Sequence, residues 1–179
     1  MQNLPDNVLL YLTKHLIKYY EIEWQRKNTI NNVIVIPAIA EYDNIKVLLK
    51  SLSENDPVFF SSSLILFVIN NSPVSGDEIK EDNLKSLNLL RSIIGANNKD
   101  DFSSKIINSG LQVGIVDASS EGKELDTKQA GVGLARKIGM DLSLTIFDYS
   151  KQTKRLIVCL GGNRRSPHMK VLNDLSIGI

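Results

Sequence analysis

Four short apolar runs rich in β-branched residues, Val33–Ile36, Ser62–Ile69, Leu111–Val116 and Leu156–Leu160, alternate with longer segments whose leucines and isoleucines recur three and four residues apart. Runs this short and this predominantly apolar read as strands buried on both faces, and the intervening periodicity reads as amphipathic helix. The alternation restricts the chain to an α/β architecture with a mostly parallel sheet covered by helices on both sides. Sheets of this kind bind ligands beyond the carboxyl ends of their strands. Pro37, Asn70, Asp117 and Gly161 each follow a strand, so the topology gathers them at one edge although the sequence separates them widely.

The first helix is expected over residues 4 to 25, from Leu9, Leu12, Leu16 and Tyr20 after a proline tolerated in a first turn. It precedes the main domain as a segment of residues 1–30, packed on the sheet, with His15 an ordinary boundary or surface histidine and Trp24 and Tyr19 read as packing on the core, contact with a partner or a membrane surface being the alternative. Pro37 is expected to end the first strand because it has no N–H for a sheet ladder. A helix follows, with Glu41 and Asp43 in its first turn and Ile45, Leu48, Leu49 and Leu52 buried. Asn70-Asn71-Ser72-Pro73 is a turn by composition, and Glu78–Ile94 is helical. Residues 95–110 read as a surface connection. Asp117 stands at the end of the third strand, and a polar loop leads to a helix holding Leu134, Ile138, Leu142 and Ile146. The main domain is expected over 31–160, followed by an atypical tail over 161–179.

At 179 residues and 42% hydrophobic, the chain is long enough to bury a core as one domain. Its formal charge of +1 provides no global field for nucleic acid, so any anion must be held locally. Cys159 is the single cysteine, which rules out an internal disulfide, and its expected role is a buried small hydrophobe. With no basic leader and no apolar run long enough for a bilayer, a cytoplasmic location is expected, leaving room for peripheral membrane contact.

The densest chemical signal is Lys128 to Asp141, which sets Gly131 and Gly133 at a helix start with Lys128, Arg136 and Lys137 close by. Glycines let backbone N–H groups approach phosphate oxygens, and a helix start favours negative charge. Taken alone, such glycines more often mark a close packing contact and such cations a solvated side. The order of features adds to this: strand, Pro37-Ala38-x-x-Glu41; strand, Asn70-Asn71-Ser72; helix, Ala135-Arg136-Lys137-Ile138-Gly139; strand, Leu160. This order resembles the donor-binding half of family-2 glycosyltransferases, whose first strand ends in Pro-Ala-Tyr-Asn-Glu and whose donor helix carries Ala-Arg-Asn-x-Gly.

The resemblance implies a three-layer, Rossmann-like GT-A fold, incomplete at its C-terminus, that binds a nucleotide-diphosphate sugar for hexosyltransferase-type transfer to a glycan or lipid acceptor. It carries over Pro37, Ala38, Glu41, Asn70, Asn71, Asp117, Lys128, Gly131, Gly133, Arg136 and Lys137 as donor-binding residues. It also implies Mg²⁺ or Mn²⁺, but Gly161-Gly162-Asn163 stands where the family has a metal-binding pair of aspartates. Asp141 and Asp148 are read as solvated surface residues, not substitutes. The expectation is a truncated, weakly active or inactive copy, with a non-catalytic nucleotide-sugar-binding or interaction module on the same fold as the alternative. A dinucleotide oxidoreductase would need its glycine fingerprint after the first strand, where Pro37-Ala38-Ile39-Ala40 stands. Neither a nucleoside-triphosphatase phosphate loop nor a Gly-x-Ser-x-Gly elbow is present.

Overall fold

The computed structural model describes residues 4–17, 19–25, 28–97, 100–128 and 131–161. Its elements are α1 (Asp6–His15), β1 (Glu23–Trp24), β2 (Asn32–Ala38), α2 (Tyr42–Ser53), a 3₁₀ turn (Pro57–Ser62), β3 (Ser63–Asn70), α3 (Asp77–Ile94), α4 (Asp101–Ser109), β4 (Gln112–Ala118), α5 (Val132–Ser143) and β5 (Leu156–Cys159). The sheet order is β1-β4-β3-β2-β5, with β2 to β5 mutually parallel and β1 antiparallel to β4.

Strand parity distributes the core. Ile34, Ile36, Ile65, Phe67, Ile69, Val113 and Ile115 pack beneath α2, α3 and α4, which contribute Ile45, Leu49, Leu87, Leu90 and Ile106. The alternate residues Val33, Val35, Leu64, Leu66, Val68 and Val116 pack against Ala135, Ile138 and Leu142 of α5. The chain thus steps from β2 to β3 to β4 with helices on one face, then returns over the other face to place β5 beside β2. This is a Rossmann-like winding, and it reverses direction at β2.

Four local expectations are corrected. The N-terminal helix stops at His15, and Leu16 is extended. Beyond it, Tyr20, Ile22 and Trp24 join one core cluster at a spacing of two, the period of a strand, and Trp24 lies in β1. Pro37 does not end β2, which continues to Ala38 paired with β3. The Leu160 N–H bonds the Val35 carbonyl, so odd-numbered β2 residues present their backbone groups toward β5; β5 ends opposite Val35, leaving the missing donor of Pro37 without a ladder to break.

Residues 95–110 are not only a connection. Asp100 caps α4 by accepting bonds from the Ser103 backbone N–H and hydroxyl, Ile106 is fully buried, and Gly110 closes the helix at φ 81°. Asp141, expected at the surface, is 3% exposed. It accepts a bond from the Tyr11 hydroxyl at 2.9 Å and an ion pair from Lys137, which fastens α1 to α5. This bond to a carboxylate pushes the Tyr11 hydroxyl above its ordinary range, with burial adding to the effect. Asp148 is half-buried and accepts bonds from Ser150.

His15 is exposed as expected, with its ring 4.8 Å from that of Tyr11. Cys159 is half-buried against the α5 side of the core, where burial raises its thiol. No helix among the described residues is long and apolar enough to cross a membrane. Of the tail, Gly161 is described and residues 162–179 lie outside the described set.

Candidate functional site

A cleft of about 180 Å³ opens at the carboxyl edge of the sheet, lined by Pro37, Ile39, Asn70, Asn71, Ser72, Ser75, Gly131 and Val132. Parity explains the composition of its walls. Pro37 is in phase with Val33 and Val35, and Asn70 with Leu66 and Val68, so both project to the α5 side, over which the start of α5 is laid.

Helix α5 begins without a side-chain cap. Gly131 occupies the cap position at φ 155° and ψ 172°, a conformation reserved in practice for glycine, and the first intrahelical bond runs from Ala135 N–H to its carbonyl. The N–H groups of the first turn have no intrahelical acceptor and carry the positive end of the helix dipole. Gly133 is exposed, and a Cβ there would meet nothing within 4 Å. Gly131 and Gly133 therefore leave approach to the helix start open, and the close packing contact falls elsewhere, at Gly139.

The floor is held by amides. Asn70 donates from its side chain to the Ala38 and Val68 carbonyls at 3.0 and 3.1 Å, tying the end of β3 to that of β2. Asn71 donates to the Ser72 carbonyl. Asn83 of α3, 2% exposed, donates to the Asn70 carbonyl and the Asn71 side-chain oxygen at 3.1 Å each and accepts from the Ala40 N–H at 2.9 Å. Ala40 sits at φ 50°, a strained value for a residue with a Cβ. Asn83 thus pins the turns after β2 and β3 together, while its neighbour Asp82 accepts the Tyr42 N–H at the start of α2. Sequence reasoning passed over Asn83, because an asparagine within the leucine periodicity of α3 looks like a solvated position. The available signal was its place on the buried row with Leu87 and Leu90.

The other expected site residues divide. Ala38 is buried in β2. Glu41 stands at the start of α2, where its carboxylate bonds the Asn44 amide and does not line the cleft. Lys128 is exposed, with its backbone N–H bonded to Asp126. Lys137 donates to the His15 carbonyl at 2.8 Å and pairs with Asp141, so it serves the α1 contact and not the cleft. Arg136 reaches the carboxyl end of β5: its Nη2 lies 3.1 Å from where a Cβ on Gly161 would stand, and its Nε is buried without a hydrogen-bond partner among the described residues.

Asp117 belongs to a different cluster. In phase with Val113 and Ile115, it faces α3, where it accepts from Arg91 at 2.9 Å and from the Ser120 hydroxyl and N–H at 2.7 and 3.0 Å. Arg91 also makes a two-pronged pair with Glu23, at 2.8 and 2.6 Å, and so fixes the two-residue β1 against the sheet. Burial drives the Asp117 carboxyl upward, but the Ser120 and Ser119 bonds and Arg91 outweigh it and hold the group below its ordinary value. A carboxyl depressed by folding contributes stability that is complete above its unfolded value, 3.8, and is lost as pH falls through the lower folded value. Asp117→Asn is therefore expected to cost about 2 kcal/mol at neutral pH. In urea titrations its deficit against the parent should be constant from neutrality down to the ordinary carboxylate range and shrink below it; a deficit independent of pH would contradict the assignment.

The cation implied by the family resemblance does not fit these residues. Among the described residues no carboxylate lines the cleft, Asp117 is saturated by Arg91 and Ser120, and no three His, Cys, Asp or Glu side chains converge. An anion suits the cleft better, since the open helix start offers N–H groups and the positive end of the helix dipole, while Arg136 lies outside the lining, at the end of β5. The fold and cleft define an α/β protein with a mostly parallel, Rossmann-like sheet and a small opening at its carboxyl edge. No protein-family model, no curated protein and no solved structure matches the chain.

Proposed function

We propose that the cleft binds the diphosphate of a nucleotide sugar, in the manner of a glycosyltransferase donor site. The observation that carries this reading is the uncapped start of α5, with Gly131 in a glycine-only conformation, opening directly onto Pro37, Asn70 and Asn71. The first-turn N–H groups receive a phosphate, Arg136 adds charge from the same helix beside the end of β5, and the turn formed by Asn70, Asn71 and Ser72 borders the nucleoside. The identity of the ligand as a sugar carrier comes from the resemblance of Pro37-Ala38-x-x-Glu41 and Ala135-Arg136-x-x-Gly139 to the family-2 pattern.

For transfer, the same donors stabilise charge as it develops on the departing diphosphate. The absence of carboxylates from the cleft lining favours a second reading, in which the protein holds the nucleotide sugar without transferring it.

Calorimetric titration with UDP and GDP, with and without Mn²⁺, separates the two. Metal-independent binding supports the binding module, metal-dependent tight binding supports a transferase, and no binding of either nucleotide overturns the proposal. Arg136→Ala is expected to weaken binding about tenfold, the equivalent of ~1.4 kcal/mol.

A further inference from the structure

Helix α1 lies on the core by one side only. Leu12 is 4% exposed, while Leu9 and Leu10 are 52% and 59% exposed, and no partner covers them among the described residues. On this outer side Asp6, Leu10 and Lys14 follow one another at intervals of four and so form a single row along the helix. Both Asp6 and Lys14 are exposed, and neither makes an ion pair among the described residues.

The row is complementary to itself when reversed. Turned end for end about Leu10, it sets Asp6 against Lys14 and Lys14 against Asp6, with leucine against leucine between. An arrangement of this kind meets the requirement of a twofold interface, in which the same patch serves both subunits.

We infer that two copies of this chain associate through antiparallel packing of their α1 helices, with Leu10 on the twofold axis and Leu9 beside it. The leucines are removed from water, and the two Asp6–Lys14 pairs set direction and register more than they add affinity. The opposite, parallel arrangement would bring Asp6 against Asp6 and Lys14 against Lys14. One ten-residue helix per subunit covers less than the ~1,200–2,000 Å² of a stable interface, so a weak dimer with a Kd of about 0.1 mM is expected.

Sedimentation equilibrium on the full chain, over about 10 μM to 1 mM, reads the result directly. The mass is expected to rise from 19.9 kDa toward twice that value. Leu10→Lys should shift the midpoint to at least about tenfold higher concentration, with an unchanged circular dichroism spectrum because the side chain is 59% exposed. Asp6→Lys and Lys14→Asp should each be monomeric where the parent dimerises, and mixing these two variants should restore the dimer by pairing opposite charges. A parent that stays monomeric throughout, a dimer indifferent to Leu10→Lys, or two charge variants that fail to associate on mixing overturns the inference. Monomeric binding of the parent to anionic phospholipid vesicles through this face would overturn it as well.

Discussion

Gly139→Ala is expected to lower the thermal midpoint by about 6–12 °C, corresponding to ~3 kcal/mol in a chain of this size. Helix α5 crosses β2 and β3 on the face of Val35 and Val68. A Cβ added to Gly139 would stand 2.9 Å from Val68 Cγ2 and closer still to Val35 Cγ1. Both valines are fully buried, and their strands are interior strands of the sheet, so neither side of the contact can retreat. Helix propensity pulls the other way, by about 1 kcal/mol in favour of alanine, and is outweighed.

Val35→Ala removes the nearest obstructing methyls at the cost of a small cavity. The double variant Gly139→Ala/Val35→Ala should therefore be more stable than the sum of the two single effects allows. A neutral Gly139→Ala, or strict additivity in that cycle, would refute the close approach.

Asn83→Leu is expected to cost about 3 kcal/mol and to abolish nucleotide binding in the cleft. The substitution leaves the Asn70 carbonyl and the Asn71 side-chain oxygen without their shared donor, and the Ala40 N–H without its acceptor. Ala40 is held at φ 50° only while that bond exists, so the turn after β2 should relax and carry Ile39 away from the cleft wall. Hydrogen exchange gives a local reading: the Ala40 amide should exchange at least about tenfold faster in the variant at matched global stability. Asn83→Asp keeps the acceptor for Ala40 and loses the donors, so it should protect Ala40 and still loosen the turn after β3. Equal protection of Ala40 in Asn83→Leu and the parent would show that the asparagine is not the clamp.

The strands were legible because a run such as Leu64–Ile69 is apolar on both faces, a condition that the middle of a covered sheet satisfies. Helix α4 was missed because its polar residues hid a cap and two buried positions, Ser103 and Ile106, within a stretch rich in Asn, Asp and Ser. Leu16 and Tyr20 extend a helical pattern from Leu12, yet Tyr20, Ile22 and Trp24 also alternate, and the second pattern prevails where the chain turns back to pair with β4.

Among the candidate site residues, Asp117 was assigned to the ligand edge by its place at a strand end. Its parity with Ile115 sends it instead to the α3 face and to Arg91. Lys137 lay in a cationic stretch beside the glycines, and its interval of four from Asp141 is what joins it to the α1 contact.

The sequence by itself determined the alternation of strands and helices, the parallel sheet buried on both faces, and the gathering of Pro37, Asn70, Asp117 and Gly161 at the carboxyl edge of the strands. Each of these follows from periodicity over a few residues and from the rule that a buried backbone must complete its hydrogen bonds. Tertiary structure alone decided which polar groups meet there: that Asn83 closes the floor, that Asp117 is bound by Arg91, and that Gly139, not Gly131 or Gly133, marks where helix and sheet touch. Those choices depend on groups brought together from distant parts of the chain, where the separation that matters is a few ångströms through space and leaves no regular trace along the sequence.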